Sequence, residues 1–403
     1  MTAPEPTGSL RGVRVLDLSR ILAGPLCAQM LADHGAEVVK VEPPAGDDTR
    51  EWGPPFVSDT MSAYHSAINR NKANICLDLT RPEGQRVLGE LLADADVLVE
   101  NFKAGTLAKW GYSDEVIAER FPGLVHCRIT GFGIDGPMGS TPGYDAILQA
   151  YGGLMSINGE RSGPPLRVGV PIVDVVTGIY AFSGILLGLH DRHTTGRGQL
   201  VDCTLLDTAV SLLHPHSGAW LASGRTPQRT GSAHPSVAPY DTFEAADGLI
   251  FISGANDRLF RNIAAVLGIP DIADDPRFAT NADRVQHIAA LRELLAERIS
   301  TRTRHELAEA LLAEGVPATA VHDVGEALTD PQVQHRQMVV ERDGYRGIGI
   351  PIKLDRTPGN VRTTPREQGA DTRRILAALG YGEAEIAALI EADIALGSGG
   401  ATR

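Results

Sequence analysis

Three observations predict an α/β fold built on an open, mostly parallel sheet. Short Val/Leu/Ile-rich runs of strand length alternate with segments of helical spacing, glycine, serine or proline bounds most of these runs, and the alternation recurs from residue 12 to residue 130. The chain has 403 residues, enough for two or three domains at ~150 residues each.

Residues 12–19 (GVRVLDLS) have the composition of a core strand. Pro25 suits the first turn of the helix that follows, Leu26, Met30 and Leu31 share one of its faces, and Gly35 stands where a C-terminal cap is expected. Residues 36–41 (AEVVKV) return to strand character and close a βαβ unit. The pattern repeats with a strand at 74–79, a helix opened by Pro82 and running to 93, and strands at 96–99 and 124–130. Residues 179–189 are the most apolar stretch, about half the ~20 residues a membrane span needs and interrupted by Gly184 and Gly188, so a buried helix is expected. A Gly/Ser/Thr/His/Pro-rich linker at 223–239 precedes a hairpin signal at Asp247-Gly248, helical patterns over 259–314 and strand character near 348–352. The opening MTAPEPTGSLRG and the closing GSGGATR are expected to be disordered.

Composition narrows the function classes. Hydrophobic residues make up 43%, charged residues 22%, and the mean hydropathy of -0.07 is that of a folded soluble chain. Lys and Arg number 37 against 50 Asp and Glu, and the net charge of -13 disfavours both a nucleic-acid backbone and an anionic membrane as partner. Cys27, Cys76, Cys127 and Cys203 form no close pair, which predicts neither a disulfide framework nor a metal site and fits a reducing cytoplasm.

Several residues carry chemical potential. SRILAGP, between the first strand and its helix, would offer a ligand phosphate free backbone N–H groups, but GxGxxG and the P-loop lysine are missing and it reads equally as an ordinary βα turn. Asp174 is a lone carboxylate in RVGVPIVDVVTGIYAFSG, costly to bury without hydrogen bonds, and reads equally as a helix N-cap or as a nucleophile. Tyr144 and Asp145 follow a Gly/Pro-rich loop and are candidates for the same pocket, Asp145 otherwise capping AILQAYGG. Arg50, Arg70 and Lys72 are cations beside predicted strand ends, where open sheets bind anions, and read otherwise as solvated loop charges; Asn101 and Phe102 share that edge. The histidine pairs lack a partnering carboxylate motif, no GxSxG occurs, and Cys27 and Cys203 read as buried thiols.

Read together, LRGVRVLDLSRILAGPLCAQMLADHGAEVVKVEPP, NRNKANICLDL, DVLVENFKAGTLAKWG, ITGFGIDGP, GYDAILQAYGGLM, VDVVTGIYAFSGILLGL, GRGQLVDCTLLD and DPRFATNADRV resemble the class III CoA-transferases, the CaiB/BaiF family, from about residue 10 to about 386. GDDTREWGPPF, YHSAINRNKANICLDL and PLRVGVPIVDVVTGIYA are most similar to its succinyl-CoA:dicarboxylate branch, of glutarate type. The resemblance implies a large Rossmann-like domain from residues 1–222 and 326–403, a smaller α+β domain inserted over 223–325, and two ring-shaped protomers interlocked as a homodimer.

It also implies that Asp174 is the nucleophile and that a coenzyme A thioester is a substrate, with no permanently bound cofactor and a carboxylic acid as second substrate. By motif position, CoA contacts fall on Arg20, Leu22, Ala23, Leu77, Leu79, Asn101, Phe102 and Lys109. Leu22 replaces a glutamine of the formyl-CoA transferase branch, and Pro43 and Thr80 replace basic residues. The α-methylacyl-CoA racemase branch has a histidine where this chain has Tyr144 and a glutamate where it has Asn256, and neither replacement suits proton abstraction near neutral pH. A non-catalytic acyl-CoA-binding protein is the alternative outside catalysis. A dicarboxylate substrate needs a cation for its distal carboxylate, for which Arg50 and Arg167 are the candidates.

Overall fold

In the computed structural model, which describes residues 8–397, strands β1 (Arg14–Asp17) and β2 (Glu37–Glu42) flank helix α1 (Ala23–Asp33). Gly35, at φ 107°, follows the helix in the left-handed backbone region its position requires. After a short hairpin, β3 (Phe56–Ser58) and β4 (Met61–Ser62), and helix α2 (Ala63–Ala67), the alternation resumes with β5 (Lys72–Leu77), α3 (Pro82–Asp94) and β6 (Val97–Glu100). Next come α4 (Thr106–Lys109), α5 (Asp114–Arg120), β7 (Val125–Thr130), α6 (Asp145–Tyr151), α7 (Leu154–Ile157), α8 (Ile172–Thr195), β8 (Leu200–Thr204) and α9 (Leu205–Ser211).

The main sheet has the order β14-β5-β2-β1-β6-β7-β8, where β14 is Ala395–Leu396. Every pairing is parallel except that of β14, an antiparallel edge strand. The chain winds outward from β1 through β2 to β5, then returns to β6 on the other side of β1. That reversal opens a crevice at the carboxyl ends of β1 and β6, where open α/β sheets bind ligands. Consecutive residues such as Val15 and Leu16, or Val97, Leu98 and Val99, are all buried, as expected of parallel strands covered on both faces. One core joins Leu16, Ile75 and Leu98 to Val87, Leu88 and Leu92 of α3 and to Ile375 and Ile386 near the C-terminus.

The chain packs into two compact units. The first comprises residues up to Gly153, Gly169–Leu213 and the chain from Gln332 on; the second comprises Leu154–Val168 and His214–Pro331. Residues 154–168, grouped with the large domain in the sequence reading, fall in the second unit because Arg229 donates to the carbonyls of Glu160 and Gly163 and the Gly231 N–H to that of Gly159. Within the second unit β9 (Tyr240–Ala245) and β10 (Gly248–Ser253) form the hairpin expected at Asp247-Gly248, and β11 (Ala318–Ala320) adds to β10. Asn256 caps the helix Asp257–Val266, its side chain accepting from the Leu259 N–H at 2.9 Å.

Three expectations need correction. The strand placed near 348–352 lies earlier, as β12 (Val339–Arg342) paired with β13 (Tyr345–Ile348). The apolar stretch at 179–189 belongs to a helix of 24 residues, long and apolar enough by itself to cross a membrane, whose Ile185 is buried while Leu187 is 71% exposed. In the expected N-terminal lead, residues 9–12 form turns and the Leu10 N–H donates to the His34 carbonyl. Residues 1–7 of that lead and 398–403 of the C-terminal tail lie outside the described residues.

Candidate active site

The turn after β1 carries the first wall of the site, and it is tightly held. Asn101, just after β6, accepts from the Arg20 N–H at 2.9 Å and donates to the Arg20 carbonyl at 2.8 Å. Ile21 has φ 74°, costly for a β-branched residue, and its N–H reaches Asp47 Oδ1 at 3.4 Å. Asp47 in turn accepts from the Thr49 N–H and hydroxyl and pairs with Lys40 Nζ at 3.1 Å. Lys40 also donates to the Ser19 carbonyl at 2.8 Å. Below it Lys72 donates to Asp17, the Pro25 carbonyl and Asn69, all within 2.9 Å. Burial opposes ionisation of Asp17, but Lys72 and Lys40 outweigh it and hold that carboxyl below its ordinary range.

Above this network, at the carboxyl ends of the strands, is a cavity of about 450 Å³. Each strand end contributes to its wall: Arg20, Leu22 and Ala23 after β1, Pro43 after β2, and Leu79 and Thr80 after β5. Asn101, Phe102 and Lys103 follow β6, Gly131 follows β7, and Leu205 follows β8. Tyr144 and Asp174 complete it. Of the eight positions predicted to contact CoA, seven line the cavity and Lys109 does not; Lys103, six residues earlier, does. The sequence signal for Lys103 was available, since it lies two residues beyond Asn101 in the same strand-end loop. Pro43 and Thr80, which lack the charge found in the formyl-CoA branch, also line the wall.

Asp174 is the third residue of α8, and so is not the residue that caps it. The capping carboxylate is Asp145: its Oδ1 accepts from the backbone N–H of Val173 at 2.8 Å and of Asp174 at 3.1 Å, while its Oδ2 accepts from Gln149 Nε2 at 2.6 Å. Asp145 is buried and absent from the cavity wall, so it supports the site instead of binding substrate there. One turn along α8, a Cβ on Gly178 would stand 2.7 Å from the Ala23 carbonyl, so this glycine lets α8 rest against the first turn of α1 and brings Asp174 to the crevice. Burial, reinforced by the charge of Asp145, pushes the Asp174 carboxyl up to about 7. Tyr64, which the sequence reading did not single out, senses the same charges: burial first, then Asp174 and Asp145, push its phenol up to about 12.

Neither arginine expected to bind a distal carboxylate lines this cavity. Arg50 is buried and holds Glu42 through two bonds, Nε–Oε2 at 2.7 Å and Nη2–Oε1 at 2.8 Å, with a third from Nη2 to the Arg366 carbonyl at 3.1 Å. Among the described residues its Nη1 has no hydrogen-bond partner and lies 3.9 Å from Glu367 Oε2, and Arg50 is not among the residues of the cavity wall. Arg167 is exposed, lies in the second unit and donates to the Val168 carbonyl. Arg70 and Lys72 are not solvated loop charges either; Arg70 grips buried Asp33 at 2.7 and 2.9 Å. Cys27, Cys76 and Cys127 are buried free thiols and Cys203 is partly buried. Among the described residues no cluster of three or more His, Cys, Asp or Glu side chains is arranged to hold a metal ion.

Comparison with known proteins agrees with this geometry. The model of CoA-transferase family III matches residues 10–372. The succinate--glutarate CoA-transferase of Agrobacterium fabrum is 41% identical over 387 residues, covering 93% of this chain and 97% of that protein. The human succinyl-CoA:glutarate CoA-transferase is 39% identical, over 83% of this chain and 76% of its own length. A crystal structure of a CaiB/BaiF family protein from Brucella suis superposes with a TM-score of 0.86 at 40% identity, covering 93% of this chain and all of that one. With the crevice, the cavity and the carboxylate at its edge, these matches establish that the chain belongs to CoA-transferase family III and is a CoA-transferase.

Proposed function

We propose that the protein transfers CoA from succinyl-CoA to a second dicarboxylic acid of glutarate type, with Asp174 as nucleophile. The observation that carries this is the position of Asp174: a carboxylate at the wall of the switch-point cavity, held in the first turn of α8, with a raised proton affinity that makes its ionised form a stronger nucleophile. The succinate–glutarate activity of the relatives supports the substrate class.

An Asp174 oxygen attacks the thioester carbonyl, and the C–S bond breaks to give a succinyl-aspartyl anhydride and CoA thiolate. The thiolate then attacks the aspartyl carbonyl, releasing succinate and leaving an aspartyl-CoA thioester. The incoming acid repeats the two steps in reverse order, so the energy of the thioester bond is retained throughout. Arg20 and Lys103 are the basic side chains in the cavity wall, and the phosphates of CoA and the distal carboxylate both fall to them. Tyr144 at the racemase histidine position and Asn256 tied up as a helix cap support transfer over C2 proton exchange.

We also propose the interlocked homodimer for this chain. Its support is the apolar surface that α8 leaves open, with Ile179, Tyr180 and Leu187 exposed. A cytoplasmic setting fits four free cysteines.

The decisive experiment is hydroxylamine trapping with succinyl-CoA followed by peptide mass spectrometry, alongside Asp174→Asn and Asp174→Ala. Label at Asp174 and loss of turnover by several orders of magnitude are expected. Near-normal turnover by the alanine variant overturns the assignment.

A further inference from the structure

Asp145 has no role in the chemistry just described, yet it is buried and bonded to the backbone of the residue that has one. Its two oxygens accept from three donors, the Val173 and Asp174 N–H groups and Gln149 Nε2, which is the pattern of an ionised carboxylate. Helix α8 has no cap from its own chain neighbour: Pro171, at the capping position, has no side-chain acceptor. An asparagine or serine at a helix start would satisfy the same N–H groups without placing a second negative charge beside the nucleophile.

We propose that Asp145 is the positioning residue of the nucleophile, its Oδ1 fixing the turn that carries Asp174 and its charge opposing the charge of Asp174. This rests on the reading of Asp174 as nucleophile. A negative neighbour destabilises the free Asp174 carboxylate but not the uncharged anhydride or thioester made from it. Like-charge repulsion is relieved when the covalent enzyme forms and restored when it breaks down, so Asp145 draws the equilibrium toward the intermediate. The other charged side chains of the cavity wall are Arg20, Lys103, Asp48 and Asp78, none of which shifts Asp174 as Asp145 does, and Tyr64 of α2 lies within its electrostatic reach. Among these, Asp145 alone bonds to the Asp174 backbone.

Asp145→Asn separates the two parts of the role. Its carbonyl oxygen still accepts from Val173 and Asp174, and rotation of the Gln149 amide turns an acceptor to the new NH2, so the helix start is kept while the charge is lost. The acid limb of kcat/KM, expected near pH 7 in the wild type, moves down by about one pH unit or more. At pH 8 with succinyl-CoA and free succinate, the aspartyl-CoA enzyme seen by intact-protein mass spectrometry falls about tenfold for each unit of that shift. An unmoved limb with unchanged adduct overturns the inference. Asp145→Glu provides a second reading should the asparagine variant not fold: it keeps the charge but displaces the turn, so kcat falls at least tenfold with the limb in place, and an unchanged kcat refutes the positioning role. Asp174→Asn, run in parallel, isolates the underlying assignment, since activity in that variant defeats the nucleophile and not Asp145.

Discussion

Replacing Arg50 by methionine distinguishes a structural arginine from one that binds substrate. Methionine keeps much of the buried aliphatic volume and removes the guanidinium, leaving Glu42 without its cation and the two bonds it accepts from Arg50. Glu42 is fully buried, and removing one member of a buried ion pair typically costs ~3–5 kcal/mol. Two donors remain to it, Asn74 Nδ2 at 2.5 Å and the Asp47 N–H at 3.2 Å, and the carboxyl can take up a proton. The loss is therefore placed near the lower end, ~3 kcal/mol, and should appear as a lower urea midpoint with an unchanged slope. Selectivity should not change: the ratio of CoA transfer to glutarate over transfer to pentanoate, both from succinyl-CoA, stays at the wild-type value. Were Arg50 the anchor of the distal carboxylate, that ratio would fall by ~2–3 kcal/mol, roughly 30- to 150-fold. A collapsed ratio with an unmoved urea midpoint would refute the structural assignment.

If the protomers are interlocked, separately purified dimers carrying different tags exchange no subunits over hours under native conditions, because parting requires unfolding; mixed dimers within minutes, read by tandem affinity capture, count against threading. His65 and Asp174 act on stability against pH with opposite sign. Burial, with Arg50 and Lys40 adding to it and Glu42 and Asp47 opposing, pushes the His65 imidazole down to about 3, so His65 costs stability as pH falls below its unfolded value of ~6.5; Asp174, raised to about 7, costs stability as pH rises from ~4 through 7. Between pH 4.5 and 6.5 Asp174→Asn, lacking one member, should lose stability toward acid more steeply than the wild type, by up to ~1.4 kcal/mol per unit, in urea titrations. A flat profile for that variant contradicts the account of His65.

The parts of this molecule that follow local rules were legible in the sequence. Strand composition, Pro82 at a helix start and Gly35 at a helix end fixed the βαβ alternation, and that alternation implies a crevice at the carboxyl ends of the strands. The lone carboxylate at Asp174 stands out among apolar neighbours, where a helix cap and a nucleophile read equally, and its place as the third residue of α8 removes the cap. The partners of charged residues were not legible. Arg50 meets Glu42 eight residues away but also the Arg366 carbonyl, and Arg70 meets Asp33 across 37 positions. Whether a cation in a loop is solvated, substrate-binding or buried depends on these distant encounters. The role of Asp145 is hidden for a similar reason: local sequence points to a cap for its own helix, but the helix it caps begins 27 residues later, at Ile172.

The buried charges under the first turn are better understood through geometry than through stability. An ion pair taken out of water roughly breaks even against a well-packed apolar pair, so Asp17, Lys40, Asp47 and Lys72 are a poor device for holding a sheet together. They are, however, directional. Lys40 binds the Ser19 carbonyl and Asp47 the Ile21 N–H, one on each side of Arg20, whose own N–H and carbonyl are both held by Asn101. An isoleucine at φ 74° costs on the order of 1–3 kcal/mol and persists only where its surroundings leave no alternative. Leucines and valines in place of those ions would fill the volume but fix none of these backbone groups. Arg20, Ile21 and Leu22 face the cavity, so the ionic cluster holds in place a strained wall that an apolar core would let relax.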